Sequence, residues 1–171
     1  MFSIRTATKD DADILTEIEA KSFPPAEAAG RDRFVERLAH FGDDFLILER
    51  DGKPVGLVDG MVTDHPTITD DMYADASLHN PNGRYQSVFG LAVIPEERHQ
   101  GFATQLLHAF IDKARQEGRI GVILCCKKHM IPFYSSFGFV EQGVSKSEHG
   151  GAVWYDMTLL FAEEKRAEDK E

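Results

Sequence analysis

Gly90-Leu91-Ala92-Val93-Ile94-Pro95-Glu96-Glu97-Arg98-His99-Gln100-Gly101-Phe102-Ala103-Thr104-Gln105-Leu106-Leu107 is the stretch that decides the fold. An apolar strand, Leu91-Ala92-Val93, runs into a short turn ending in Arg98-x-x-Gly101-x-Ala103. The turn opens directly into a helix whose apolar stripe begins at Leu106 and Leu107. The first N–H groups of a helix have no intrahelical partner and carry a partial positive charge. A glycine at the turn lets the backbone come close to a phosphate pair and cradle it.

Phe2 to Ala7 reads as a strand. Thr8-Lys9-Asp10-Asp11 is a capping box, and Ile14, Leu15 and Ile18 continue it at helical spacing to about Lys21. Phe23-Pro24-Pro25 stops that helix. A second helix is predicted from Ala26 to Phe41, with Phe34, Leu38 and Phe41 on one side. Phe45–Arg50 and Lys53–Val62 form a hairpin across Asp51-Gly52. Thr63 to Gly83 is a long polar loop, of the kind that carries function or motion.

Tyr85 to Val93 is a strand, and Phe102 to Glu117 a helix with Leu106, Leu107, Phe110 and Ile111 inward, ended by Gly118. Ile120 to Cys126 is a buried strand. Ile131 to Phe137 is a short helix closed by Gly138. Phe139–Gly143 and Ala152–Leu160 are the last strands, and residues 162–171 form a charged tail. This order predicts one α/β domain over residues 1–161, with about seven strands in a central mixed, mostly antiparallel sheet flanked by about four helices.

The 171 residues, 42% hydrophobic, supply a single core. No apolar run reaches the ~18 residues of a membrane span, and no apolar leader is present, so a soluble, cytoplasmic protein with no membrane partner is expected. Nineteen Lys and Arg against 29 Asp and Glu give a net charge of −10. That disfavours nucleic acid and suits a cationic substrate such as an amine. Cys125 and Cys126 are adjacent and face opposite sides of a strand, with no disulfide framework and no metal-ligand spacing. Neither the Walker loop nor the Gly-x-Gly-x-x-Gly fingerprint occurs.

Four motifs at ordered spacing carry a resemblance. They are His79-x-Pro81-x-Gly83, Leu91-Ala92-Val93, Arg98-x-x-Gly101-x-Ala103 and Pro132-Phe133-Tyr134-x-x-Phe137-Gly138-Phe139. Together with the element order they resemble the GNAT acetyltransferases, in particular the arylalkylamine (serotonin) N-acetyltransferase-like branch. The match runs over roughly residues 78 to 139, and the first half agrees in element order alone. The resemblance implies a sheet splayed at a bulge, for which Gly90 is the natural place, and acetyl-CoA as co-substrate in the resulting cleft. It implies backbone hydrogen bonds from Leu91, Ala92 and Val93 to the pantetheine arm. It implies a pyrophosphate held by the N–H groups of His99, Gln100, Gly101, Phe102, Ala103 and Thr104. Tyr134 matches the family's general acid, a phenol that keeps its proton at neutral pH and can give it to a leaving thiolate.

The implied reaction is acetyl transfer from acetyl-CoA to a small primary amine, an arylalkylamine or polyamine, by direct attack in a ternary complex. A protein lysine or N-terminal acetyltransferase and a non-catalytic acyl-CoA sensor are the alternatives. The partner is then a small-molecule amine, and a homodimer stays open. The chain departs from the branch at one point: where vertebrate members carry two strand histidines, it has Ser87 and Phe89. Ser87 can hold a water, but neither residue is a proton acceptor. His79, Glu27, Asp59 and His149 are the remaining candidates for that role. Phe23, Pro24 and Glu27 sit where the branch has a substrate loop, and His149 lies in a Ser/Gly/His loop before Trp154, so these and Ser87 are the candidate acceptor-site residues.

Overall fold

The computed structural model describes residues 1–161, so the predicted charged tail at 162–171 lies outside the described residues. Its core is built from two sheets. The first runs β1 (Phe2–Thr6), β2 (Phe45–Arg50), β3 (Lys53–Asp59) and β6 (Gly90–Val93), all antiparallel. The second runs β4 (Val62–Thr63), β5 (Tyr85–Val88), β7 (Gly121–Cys126), β9 (Tyr155–Leu160) and β8 (Val140–Val144). Among the described residues only β5 and β7 are parallel, and α4 (Phe102–Gln116) makes the crossover between them. The described residues hold four further α-helices: α1 (Ala12–Ser22), α2 (Arg31–Phe41), α3 (Asp70–Ala74) and α5 (Ile131–Ser135).

The expected single sheet is therefore realised as two, and the splay is the reason. The predicted strand Tyr85–Val93 is one continuous segment interrupted at Phe89. Its first half pairs with β7, Val88 opposite Leu124. Its second half leaves β7 and pairs with β3, Gly90 opposite Asp59. The predicted strand Lys53–Val62 divides in the same way: β3 stays in the first sheet while β4 joins the second. The chain crosses at Gly60, against the Ser87 backbone, where no Cβ fits.

Periodicity sets the layers. Leu106, Leu107, Phe110, Ile111 and Ala114 form the buried stripe of α4, and Leu106 lies against Gly56 and Val93 on one face of β3 and β6. Gly90, three residues from Val93 on the same strand, points to the opposite face, where Glu19 of α1 meets it. Asp51 and Gly52 both have positive φ, as a two-residue hairpin loop requires. The capping box holds as well: the Asp11 carboxylate accepts the Thr8 N–H at 2.7 Å.

Two segments differ from expectation. The second helix starts at Arg31 rather than Ala26, because the donors that follow Pro24 and Pro25, which have no N–H of their own, close a single turn and then leave it. Glu27 and Ala28 donate to the Pro24 carbonyl, and Ala29 donates to the Glu19 carboxylate at 3.0 Å. The segment 63–83 is not an open polar loop. Ile68, Met72, Tyr73 and Ala76 are buried among its acids and fold it onto the core through α3.

Candidate active site

Among the described residues, the split between the sheets leaves β6 paired along one edge and opens a cleft of about 560 Å³ between it and the end of β7. Gly90, Leu91, Arg98 and His99 line one wall; Cys125, Cys126, Lys127 and Tyr134 line the other. Phe23, Pro24 and Glu27 from the α1–α2 segment, with His149 and Trp154 from the β8–β9 loop, complete it. Among the described residues no helix is long and apolar enough to cross a membrane.

At one end lies the turn read first in the sequence. Gly101 has φ +80, a left-handed conformation that suits glycine, and His99 is at φ +65. Gln105 N–H is the first of the helix to be paired, to the Gly101 carbonyl at 3.0 Å. No N–H from His99 to Thr104 donates to a described residue, so six consecutive backbone donors stand free at the helix start. Arg98 is anchored by its Nε to the Val93 carbonyl at 3.0 Å, which ties the turn to the strand end. Of the sequence-predicted cofactor residues, Leu91 and His99 line the cleft directly, Ala92 and Val93 continue the β6 edge, and Gln100, Gly101, Phe102, Ala103 and Thr104 carry the turn into α4.

Tyr134 sits on α5, where Pro132 opens the helix and Gly138 (φ +101) ends the following turn. Phe133 and Phe139 pack edge-on against its ring at 5.1 and 5.8 Å. Burial and the nearby Cys126 hold the phenol well above its ordinary pKa, so it carries its proton throughout the physiological range.

The other end of the cleft is built from side chains. Glu27 pairs with Lys127 at 2.8 Å, and its carbonyl lies 2.9 Å from His149 Nε2. The His149 carbonyl accepts the Trp154 indole N–H at 2.8 Å. The His149 ring stacks on Tyr73, centroids 4.7 Å apart, and Tyr73 in turn meets Phe89 at 5.0 Å. Below these rings lie three buried charged groups. Arg37 Nη1 is 3.2 Å from Asp59 Oδ2, its Nη2 donates to the Tyr73 carbonyl, and its guanidinium lies 4.9 Å over the Phe89 ring. Glu19 adjoins this pair and lines the cleft. Burial, followed by the Asp59 charge, pushes its carboxyl up to about 7. Burial pushes Asp59 up to about 6 against the opposing pull of Arg37.

The structure brings Phe23, Pro24, Glu27 and His149 together in the cleft and places two other candidates outside it. Ser87 is fully buried, and its hydroxyl donates to the Met61 carbonyl at 2.8 Å; it faces the seam between the sheets and not the cleft. His79 lies outside the cleft, its Nδ1 accepting the Val62 N–H at 3.0 Å and its ring packed on Phe41. Asp59 is close to the cleft floor but wholly enclosed. Glu19, Arg37, Tyr73 and Lys127 were not singled out in the sequence. The readable signal was a charge on an apolar stripe. Glu19 follows Leu15 by one turn, and Arg37 falls between Phe34, Leu38 and Phe41.

The acetyltransferase (GNAT) family model matches residues 12–139. Serotonin N-acetyltransferase of Mesocricetus auratus is 26% identical over 144 residues, 81% of this chain and 68% of its own length. An uncharacterized N-acetyltransferase of Methanocaldococcus jannaschii is 28% identical over 161 residues, 85% of this chain and 63% of its own length. Among solved structures, the GphF GNAT-like decarboxylase in complex with isobutyryl-CoA aligns with a TM-score of 0.80 at 20% identity, covering 92% of this chain and 98% of that one, which is a likeness of fold.

Proposed function

The chain belongs to the acetyltransferase (GNAT) family, as an acetyl-CoA-dependent N-acetyltransferase, and from that premise we propose that it acetylates a small primary amine. The acceptor is an arylalkylamine or a polyamine, attacked directly in a ternary complex. The observation that carries this reading is the unlike character of the cleft's two ends. One end offers free backbone N–H groups and a strand edge; the other is walled by aromatic rings and carries the carboxylates of Glu19 and Glu27.

Each half has a chemical task. The donors from His99 to Thr104 hold the pyrophosphate, and the free edge of Leu91, Ala92 and Val93 takes the pantetheine arm as a strand takes a neighbour. That fixes the thioester beside Tyr134, and a backbone N–H of the Leu91 region polarises its carbonyl. Tyr134 gives its proton to the departing thiolate. Phe23, Pro24 and the Tyr73–His149 stack wall the acceptor side, and the Glu27–Lys127 pair lines it. Holding amine and thioester together removes the entropic penalty of a bimolecular encounter.

Release of free CoA, measured against arylalkylamines, polyamines, amino acids and a lysine peptide, tests this. Turnover with one of the first two classes is expected. Turnover confined to the peptide overturns the acceptor assignment, and acetyl-CoA binding without turnover on any acceptor makes the chain a sensor.

A further inference from the structure

We propose that Glu19, backed by Asp59 at the sheet split, takes the proton of the acceptor amine. The inference rests on the acetyltransferase reading above and names the proton acceptor that the departure at Ser87 and Phe89 leaves unassigned.

Three observations converge. The first is place: Glu19 lines the cleft where β6 leaves β7, the region where amine and thioester must meet. The second is unmet bonding capacity. Glu19 Oε2 accepts the Ala29 N–H, but Oε1 is buried without a partner among the described residues; Asp59 Oδ2 pairs with Arg37, while Oδ1 lies beside the Gly90 backbone and makes no well-formed hydrogen bond to a described residue. Both free oxygens converge on one point, since a Cβ built on Gly90 would lie 3.3 Å from Glu19 Oε1 and 3.2 Å from Asp59 Oδ1. Orphaned buried carboxylate oxygens are unfavourable in a folded protein unless something else binds them. The third is charge. Arg37 is the cation against this pair, so two carboxylates share one resident positive charge. An ammonium entering the cleft supplies the second.

The groups that face Glu19 are few. Asp59 of β3 raises its proton affinity, while Arg37 of α2 and the Ala29 N–H lower it. Across the cleft, Lys127 is neutralised by Glu27. His149 holds its Nε2 against the Glu27 carbonyl, so Nε2 carries the hydrogen and only Nδ1 is open as a base. His99 and His129 also line the cleft, at its outer positions.

The step balances. The Glu19 carboxylate accepts one proton from the ammonium, and the freed lone pair forms the C–N bond to the acetyl carbon as the C–S bond breaks. The thiolate takes the Tyr134 proton, and the nitrogen's surplus proton returns to the phenolate. One proton leaves through Glu19 to solvent.

The wild-type protein gives the first test: the pH profile of kcat/KM with two acceptor amines whose own pKa values differ by about two units. A rising limb near neutrality at the same pH for both is expected, and a limb that follows the amine's pKa overturns the proposal. Glu19→Gln keeps the Ala29 contact and removes the base. We expect kcat to fall by about 10²-fold to 10⁴-fold, the usual range for an acid–base group, with acetyl-CoA binding unchanged and the neutral limb gone. Asp59→Asn tests the positioning role. Loss of its charge lets Arg37 act on Glu19 alone, and the limb moves to lower pH. Unchanged turnover in folded Glu19→Gln, or a limb that disappears in His149→Gln instead, overturns the assignment. Absence of wild-type turnover on every amine overturns both this inference and the function on which it rests.

Discussion

The two ends of the cleft are made of different material. The turn from Arg98 to Thr104 is backbone: consecutive free N–H groups, a left-handed glycine and a strand edge. The acceptor end is side chain: Glu19 from α1, Arg37 from α2, Asp59 from β3, Lys127 after β7 and His149 from the last loop. A site made of backbone needs only a contiguous segment with the right dihedral angles. A site made of side chains needs the whole fold to bring distant residues together. On the proposed function, the backbone end serves the co-substrate and the side-chain end serves the acceptor.

The largest effect is expected from breaking the backbone end. Gly101→Glu forces a side chain into φ +80 and sets a carboxylate among the free N–H groups proposed to hold the pyrophosphate. The added side chain meets open space, so the fold itself is spared a clash. Acetyl-CoA at about 100 times Kd should raise the stability of the wild type by about 2.7 kcal/mol, and this shift should vanish in the variant. Thermal denaturation with and without acetyl-CoA measures it. Normal binding by the folded variant would remove the phosphate role from this turn.

Next in size is Tyr134→Phe, which acts where the two ends meet. It keeps the ring packed against Phe133 and Phe139 and deletes the proton. We expect kcat to drop by roughly 10-fold to 10³-fold with acetyl-CoA affinity nearly unchanged. Wild-type turnover in this variant would take Tyr134 out of the mechanism.

The same contrast explains what could be read in advance. The turn, the crossover helix and Tyr134 were legible because each is one short segment whose residue types state their own geometry. The splay was legible only as an expectation at Gly90. Where the strand Tyr85–Val93 exchanges partners is decided by pairing with β3 and β7, which no local pattern contains. The α1–α2 segment was misread as helix because Ala26, Ala28 and Ala29 favour one, while the Glu19 carboxylate, ten residues back, claims the Ala29 N–H. Ser87 was aligned to a catalytic position and proved to be seam, since strand alternation fixes a side-chain face only once the partner strands are known. Glu19 and Arg37 escaped because a lone charge on an apolar stripe is visible in the sequence, but its partner on another element is not.

Stability against pH gives a third effect, spread over several pH units, that isolates the acceptor end without any assay of turnover. Glu19 and Asp59 both hold protons more tightly folded than unfolded. Between about pH 4 and pH 7 the folded state therefore binds more protons than the unfolded one, and stability from this pair falls as pH rises. The contribution is full below the unfolded carboxylate pKa and is lost through about 6 for Asp59 and about 7 for Glu19. Glu19→Gln should remove up to about 3 kcal/mol of that slope, from the shift of its carboxyl. The difference between wild-type and variant unfolding midpoints in urea, followed from pH 4.5 to 7.5, checks it. Parallel curves would mean that Glu19 is not the shielded acid described here.

The smallest effect is expected at Ser87, and it tests whether the boundary between site and seam is correctly drawn. Ser87→Ala removes one hydroxyl hydrogen bond, to the Met61 carbonyl. A buried hydrogen bond contributes about 0.5–1.5 kcal/mol net, and more is lost when a partner is left unsatisfied. Here the partner is not orphaned. The Met61 carbonyl still accepts the Ser87 backbone N–H at 2.9 Å, with the Gln86 side-chain amide at 3.3 Å. The cost should therefore fall near the lower end, about 0.5 kcal/mol, in denaturant unfolding. Turnover and its pH limb should be those of the wild type, because this hydroxyl is bonded to the Met61 carbonyl at the seam and Ser87 does not line the cleft. A fall in kcat of tenfold or more at unchanged stability would return Ser87 to the proton path. It would then be Glu19, at the other side of the split, whose part had to be reconsidered.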